Sequence, residues 1–166
     1  MYKRQDKIQG DIVIRHSKKG EKFLGLDDQE YILDDNMIVI CDENKIISLA
    51  GILGGKNSCC DRETKNILIE SAYFLPDSIS STGRKLNIQS DARYRFERGI
   101  DPESTENGIN LASRMITKLC GGDLCEIIKD NSSIKKDKSI EISSNFINQI
   151  LGTNLNDKLI QEKLAK

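Results

Sequence analysis

Up to Ser71 the chain alternates short apolar runs with clusters of Asp, Asn and Gly, the pattern of strands separated by tight turns. Strands are expected over Asp11–His16, Lys22–Leu26, Glu30–Leu33, Met37–Cys41, Lys45–Ala50 and Asn66–Ser71. Between them Asp27-Asp28-Gln29, Asp34-Asp35-Asn36 and Asp42-Glu43-Asn44 suit turns, because Asp and Asn bond their own backbone and tolerate turn dihedrals. The expected arrangement is an antiparallel meander.

Further on the period lengthens to that of a helix. One helix is expected from near Pro76, with Ile79, Thr82 and Leu86 inward. A longer one is expected from Asp101, with Pro102 in its first turn and Ile109, Ala112, Met115, Ile116 and Leu119 as an apolar stripe ended by Gly121-Gly122. Lys129–Ser139 is polar and Lys-rich, as a linker is. After it, Ile140–Ile142 reads as a strand, Ser144 as the cap of a helix that Gly152 ends, and Asn156 as the start of another. The fold class expected is α+β, antiparallel strands with packed helices. Residues 1–128 form a first domain, 129–139 a linker, and 140–166 the start of a small, helix-rich module.

Three features carry candidate chemistry. Glu70 ends the apolar run Ile67-Leu68-Ile69, and a carboxylate there loses solvation unless something hydrogen-bonds to it. Its partner is either structural, a backbone donor or one of Arg93, Arg95 and Arg98, or a polar group on a ligand. The run from Ser90 to Gly99 alternates, with Ala92, Tyr94 and Phe96 on one side of an extended segment and Arg93, Arg95 and Glu97 on the other. Such a strand is either half-buried with a solvated charged face or able to meet RNA phosphates and stack bases. Gly51-Ile52-Leu53-Gly54-Gly55 allows close backbone approach or positive φ, yet its spacing matches neither a dinucleotide fingerprint nor a phosphate loop, so it also reads as a plain turn.

Composition removes several alternatives. A net charge of −1 with 31% charged residues argues against a stand-alone nucleic-acid binder relying on phosphate neutralisation; any RNA contact is local or shared with a partner. Five cysteines without Cys-x-x-Cys spacing, and no signal-peptide pattern, indicate free thiols and a cytoplasmic protein. A metal site is not expected: with His16 as the one histidine, zinc would need Cys59 and Cys60 side by side, poor geometry for a tetrahedral site. His16 also lacks the setting of a nucleophilic triad, and no segment has the apolar length of a membrane span.

Gly51-Ile-Leu-Gly54-Gly55, Glu70-Ser-Ala-Tyr-Phe, Thr82-Gly-Arg-Lys-Leu and Ser90-Asp-Ala-Arg-Tyr-Arg-Phe-Glu-Arg-Gly-Ile-Asp-Pro102 occur in an order that resembles the bacterial phenylalanyl-tRNA synthetase beta-subunit family. The likeness runs from Asp6-Lys-Ile-Gln-Gly10 to Gly121-Gly122, and Phe146-Ile-Asn-Gln-Ile-Leu-Gly152 resembles the opening of the next module. It implies the second half of a central tRNA-editing domain, an α+β unit that hydrolyses tyrosine wrongly attached to the phenylalanine tRNA. By resemblance Glu70 recognises the tyrosine hydroxyl, and Ser90 stands at a pocket position that is often threonine. Ala92 stands where a small residue admits the ring, and Gly51 and Gly54 are pocket-wall glycines. No residue matches a nucleophile, and no cofactor is implied for this segment. The partners implied are the phenylalanine acceptor tRNA and the synthetase alpha subunit or further beta-subunit segments.

The chain also departs from the family. Its editing domain begins with an upstream half ending near a pocket histidine, where this chain has Met1-Tyr2-Lys3-Arg4-Gln5; His16 lies elsewhere and is not carried over. The resemblance therefore implies an incomplete editing domain with some apolar strand faces exposed, active as an ester hydrolase only when the missing half is supplied. The alternative is a non-catalytic structural or RNA-contacting piece of the synthetase, from a split or decayed gene.

Overall fold

A computed structural model describes residues 2–130 and 139–165, so most of the expected linker lies outside the described residues. The chain divides into two units, one up to Ile127 and the other from Ile128.

The first unit is built on three antiparallel sheets. The largest has the order β2 (Val13–His16), β5 (Ile38–Cys41), β6 (Ile46–Leu49), β7 (Leu53–Gly54). A second pairs β3 (Lys22–Leu24) with β4 (Glu30–Ile32), and a third pairs β1 (Tyr2–Arg4) with β8 (Ile67–Ile69). The strands are thus antiparallel as expected, but they do not form one meander: the β3–β4 hairpin leaves the main sheet, and β2 pairs directly with β5. The strands β1 and β7 have too few apolar residues to show in the hydropathy pattern and exist because a neighbour supplies a ladder for them.

Aspartate and asparagine close the turns. Asp28 and Asn36 take positive φ. The Asp42 carboxylate accepts from the amides of Asn44 at 2.9 Å, Lys45 at 2.8 Å and Gln9 at 3.2 Å. Burial alone drives that carboxyl upward, but the three amide donors outweigh it and hold the group below its ordinary range. Inside, Phe23, Leu33, Val39, Ile47, Leu49 and Ile52 are buried together with Phe74, Ile79 and Ile88 from the helical part. The edge strand β2 instead leaves Ile14 62% exposed, with Ile12 and Val13 exposed beside it.

Three helices follow β8. Pro76 opens α1 (Pro76–Lys85), which buries Ile79, Thr82 and Gly83. The alternating run after Ser90 is not extended: it is a helix, α2 (Asp91–Phe96). Alternation over so few residues also satisfies helical spacing, and Ser90 decides the matter by capping, its Oγ accepting from the Arg93 amide at 3.1 Å. Ala92 and Phe96, four apart, then share a face from which Tyr94 is turned away. The long helix, α3 (Ser104–Cys120), starts after Asp101, whose side chain accepts from the Glu103 amide at 3.0 Å and forms the turn leading in. Ile109, Ala112 and Ile116 of its stripe are half-buried, whereas Met115 and Leu119 are exposed.

The second unit contains α4 (Ser144–Leu151) and α5 (Asp157–Leu164). Ser143, one residue before the expected cap, caps α4, and Asn156 caps α5. Gly152 ends α4 in the left-handed conformation as expected. Asn148 locks the connection, its amide nitrogen donating to the Leu155 carbonyl and its oxygen accepting from the Leu155 amide. Ile140–Ile142 is not a strand; among the described residues no other strand pairs with it.

Candidate functional site

Glu70 follows β8 directly and is partly buried, at 18% exposure. In the ladder Lys3 of β1 stands opposite Leu68. Strand side chains alternate faces, so Glu70, two residues beyond Leu68, shares the face of Lys3 and lies diagonally across from it. The Lys3 ammonium donates to Glu70 Oε2 at 2.5 Å, and Lys3 is only 3% exposed. A lysine from a strand that is invisible in the hydropathy pattern thus holds this carboxylate. Of the arginines proposed for it, Arg93 pairs with Glu97 at 2.9 Å, and Arg98 also reaches Glu97.

Gly51 and Ser90 meet in a second cluster. Leu49 to Ile52 forms a tight turn between β6 and β7, closed by the Ile52 amide on the Leu49 carbonyl at 3.0 Å, with Gly51 at φ +66°. A Cβ on Gly51 would lie 2.9 Å from both Ile79 Cδ1 and Phe74 Cδ2, so turn and packing each require glycine. Gly51→Ala is expected to destabilise the fold by about 2 kcal/mol, from left-handed strain plus overpacking; a urea melt showing no change would contradict this packing. Ser90 joins the turn to α2, its hydroxyl donating to the Ile52 carbonyl at 2.6 Å while it caps the helix. Phe74 and Phe96 pack beside Gly51 with ring centroids 5.4 Å apart. Ala92 is half-buried on α2. Gly54 lies in β7, where its carbonyl accepts from the Leu26 amide at 3.0 Å. Gly51 and Ser90 are therefore brought together through one turn, while Gly54 is on the strand leaving it and Glu70 follows a strand of another sheet.

Arg93, at 7% exposure, is a structural residue whose carboxylate partner is Glu97. It donates to the Ile88 carbonyl at 2.7 Å as well as to Glu97, and it lies against α1 where Gly83 has no side chain. On the outer side of α2, the Arg98 guanidinium carbon lies over the exposed Tyr94 ring, 3.7 Å from its centroid.

A cleft of about 470 Å³ lies elsewhere, lined by Arg15, Glu21, Cys41, Asp42 and Lys45 among others. Two of its charges satisfy one another: Arg15 forks onto Glu21 at 2.8 and 3.0 Å, and the Arg15 hydrogen bond holds the Glu21 carboxyl below its ordinary range. Burial pushes the Cys41 thiol up, away from thiolate chemistry. Among the described residues no cluster of His, Cys, Asp and Glu could hold a metal ion, and no helix is long and apolar enough to cross a membrane.

The B3/4 domain family model matches residues 5–121, a span that holds Gly51, Gly54, Glu70, Ser90 and Ala92. Similar proteins include the phenylalanine--tRNA ligase beta subunit of Syntrophus aciditrophicus, 42% identical over 149 residues, 89% of this chain and 18% of that protein. The beta subunit of Mesorhizobium japonicum is 48% identical over 120 residues, 72% of this chain and 15% of that protein. That of Brucella abortus is 50% identical over 116 residues, 70% of this chain and 14% of that protein. The chain spans less than about a fifth of the length of these curated relatives.

Proposed function

This chain belongs to the B3/4 domain family, and from that premise we propose that it contributes to hydrolytic editing of tyrosine mischarged on the phenylalanine tRNA, as part of a phenylalanine--tRNA ligase beta subunit. The observation that carries the reading is Glu70: a partly buried carboxylate at the end of an apolar strand, at the position the resemblance assigns to recognition of the tyrosine hydroxyl. Tyrosine differs from phenylalanine by that hydroxyl, and an apolar synthetic pocket rejects an added hydroxyl weakly. A phenol donating to a carboxylate contributes about 1.5–3 kcal/mol, which phenylalanine forgoes. Ser90, Ala92, Gly51 and Gly54 bind and shape around the ring. Gly51 does so from the turn to which the Ser90 hydroxyl is hydrogen-bonded, a bond that fixes the backbone against which the ring packs.

With no nucleophile assigned, the reaction is attack by a positioned water on the aminoacyl ester. The water oxygen adds to the ester carbonyl, the bond to the ribose oxygen breaks, and that oxygen takes the proton, a reaction that rests on positioning. The partners in this reading are the tRNA, the synthetase alpha subunit and further beta-subunit segments, with residues 140–166 opening the next module. No cofactor enters. All five cysteines are free thiols, which supports a cytoplasmic setting.

The test is deacylation of tyrosine-charged and phenylalanine-charged tRNA by this chain, and by a chimera in which it replaces the matching segment of the Syntrophus aciditrophicus beta subunit. Faster release of tyrosine than of phenylalanine is expected. Equal or absent release in both, with each protein folded, overturns the editing role.

A second reading, a non-catalytic RNA-contacting piece, is favoured by one observation: the exposed Tyr94 ring under Arg98 is a ready stacking platform. Loss of tRNA affinity in Tyr94→Ala, with no deacylation by the unaltered chimera, would support it.

A further inference from the structure

We infer that Lys3 is a positioning residue that makes Glu70 selective for a phenol, an inference that rests on the editing reading above. Three observations carry it. Lys3 is almost entirely buried, at 3% exposure, so its ammonium has lost most of its water and must be met by a protein group. Glu70 meets it through Oε2 at 2.5 Å. The β1–β8 register sets the two side chains on one face, so the pairing follows from the ladder and not from a chance rotamer.

The consequence for recognition is geometric and electrostatic. A carboxylate on a flexible Glu side chain sweeps through several rotamers, and a hydrogen bond to it discriminates only if its lone pairs are held in place. Lys3 holds Oε2 and thereby fixes the plane of the carboxylate at a set angle to the end of β8. When an aromatic ring covers the site, the carboxylate loses water, and an uncompensated anion there would oppose binding of either amino acid. The adjacent ammonium supplies the counter-charge, so that tyrosine gains its hydrogen bond and phenylalanine gains none. Lys3 itself touches no substrate in this scheme; it acts through Glu70.

The experiment measures binding of two stable probes to the full chain by calorimetry: adenosine carrying tyrosine, or phenylalanine, in a 3′-amide linkage. The unaltered chain is expected to prefer the tyrosyl probe by about tenfold to a hundredfold. Lys3→Met is expected to weaken both probes, since the carboxylate loses its counter-charge, and the tyrosyl probe the more, since the carboxylate plane is no longer held, so that the preference falls; Lys3→Arg, which keeps the cation, is expected to restore most of it. Should Lys3→Met fail to fold by circular dichroism, Lys3→Gln replaces it, keeping a donor without the charge. A folded, uncharged variant that retains the preference overturns the inference while leaving the editing reading intact. No preference in the unaltered chain overturns the editing reading, and the role of Lys3 with it.

Discussion

Replacing Glu70 with alanine is expected to lower stability by about 3 kcal/mol and to abolish preferential release of tyrosine, two effects with different origins. The first arises because Lys3, 3% exposed, is left as a buried cation without its carboxylate, and breaking a buried pair from one side is strongly destabilising. For a domain of this size that corresponds to a fall of about 6–12 °C in the melting temperature. The second arises because the phenol loses its acceptor. The double variant Lys3→Met/Glu70→Ala separates them, since removing both charges leaves nothing unpaired: its melting temperature should return close to that of the unaltered chain while tyrosine and phenylalanine are released alike. A double variant that regains selectivity together with stability would mean that Glu70 acts only through folding.

The other large effect concerns how α1 and α2 are clamped. Arg93→Ala is expected to cost about 3 kcal/mol, because two charge-assisted hydrogen bonds, to the Ile88 carbonyl and to Glu97, disappear along with the packing of a buried side chain. The partner substitution changes sign with context. Gly83→Ala alone sets a Cβ 2.3 Å from Arg93 Nε and 2.4 Å from its Cδ, and since Arg93 is held at its far end, overpacking should outweigh the gain in helix propensity. Once Arg93 is alanine the obstruction is gone, and the same Gly83→Ala change should stabilise by about 1 kcal/mol. Urea unfolding of the four proteins in this cycle reads the coupling directly. Additive effects would show that Gly83 and Arg93 do not share the space between the helices.

Much of the fold is legible in the residues. The runs around Ile38–Cys41 and Ile46–Leu49 are apolar enough to be buried strands on any reading, and Asp42 closes the turn between them with its own side chain. The caps at Asn156 and Gly152 follow from local chemistry alone. The candidate site is legible in another way: Gly51, Gly54, Glu70, Ser90 and Ala92 were found through a likeness of wording, within the span that the family model matches.

What stays hidden has one common cause. The segment after Ser90 fits a strand or a helix by period, and only the hydroxyl of Ser90, free to cap α2 because it also reaches the Ile52 carbonyl, selects the helix. Tyr2–Arg4 carries no strand signal and pairs only because β8 is there to receive it. That pairing in turn brings the Lys3 ammonium onto the Glu70 carboxylate. The class of fold, the turns and most helix ends can be read from the residues because they depend on neighbours along the chain, and the family can be read because its blocks keep their wording and order. The tertiary structure alone decided α2, the edge pairing and the Lys3–Glu70 contact, because each depends on groups far apart in sequence whose desolvated charges and open hydrogen bonds are satisfied only when the strands and helices meet.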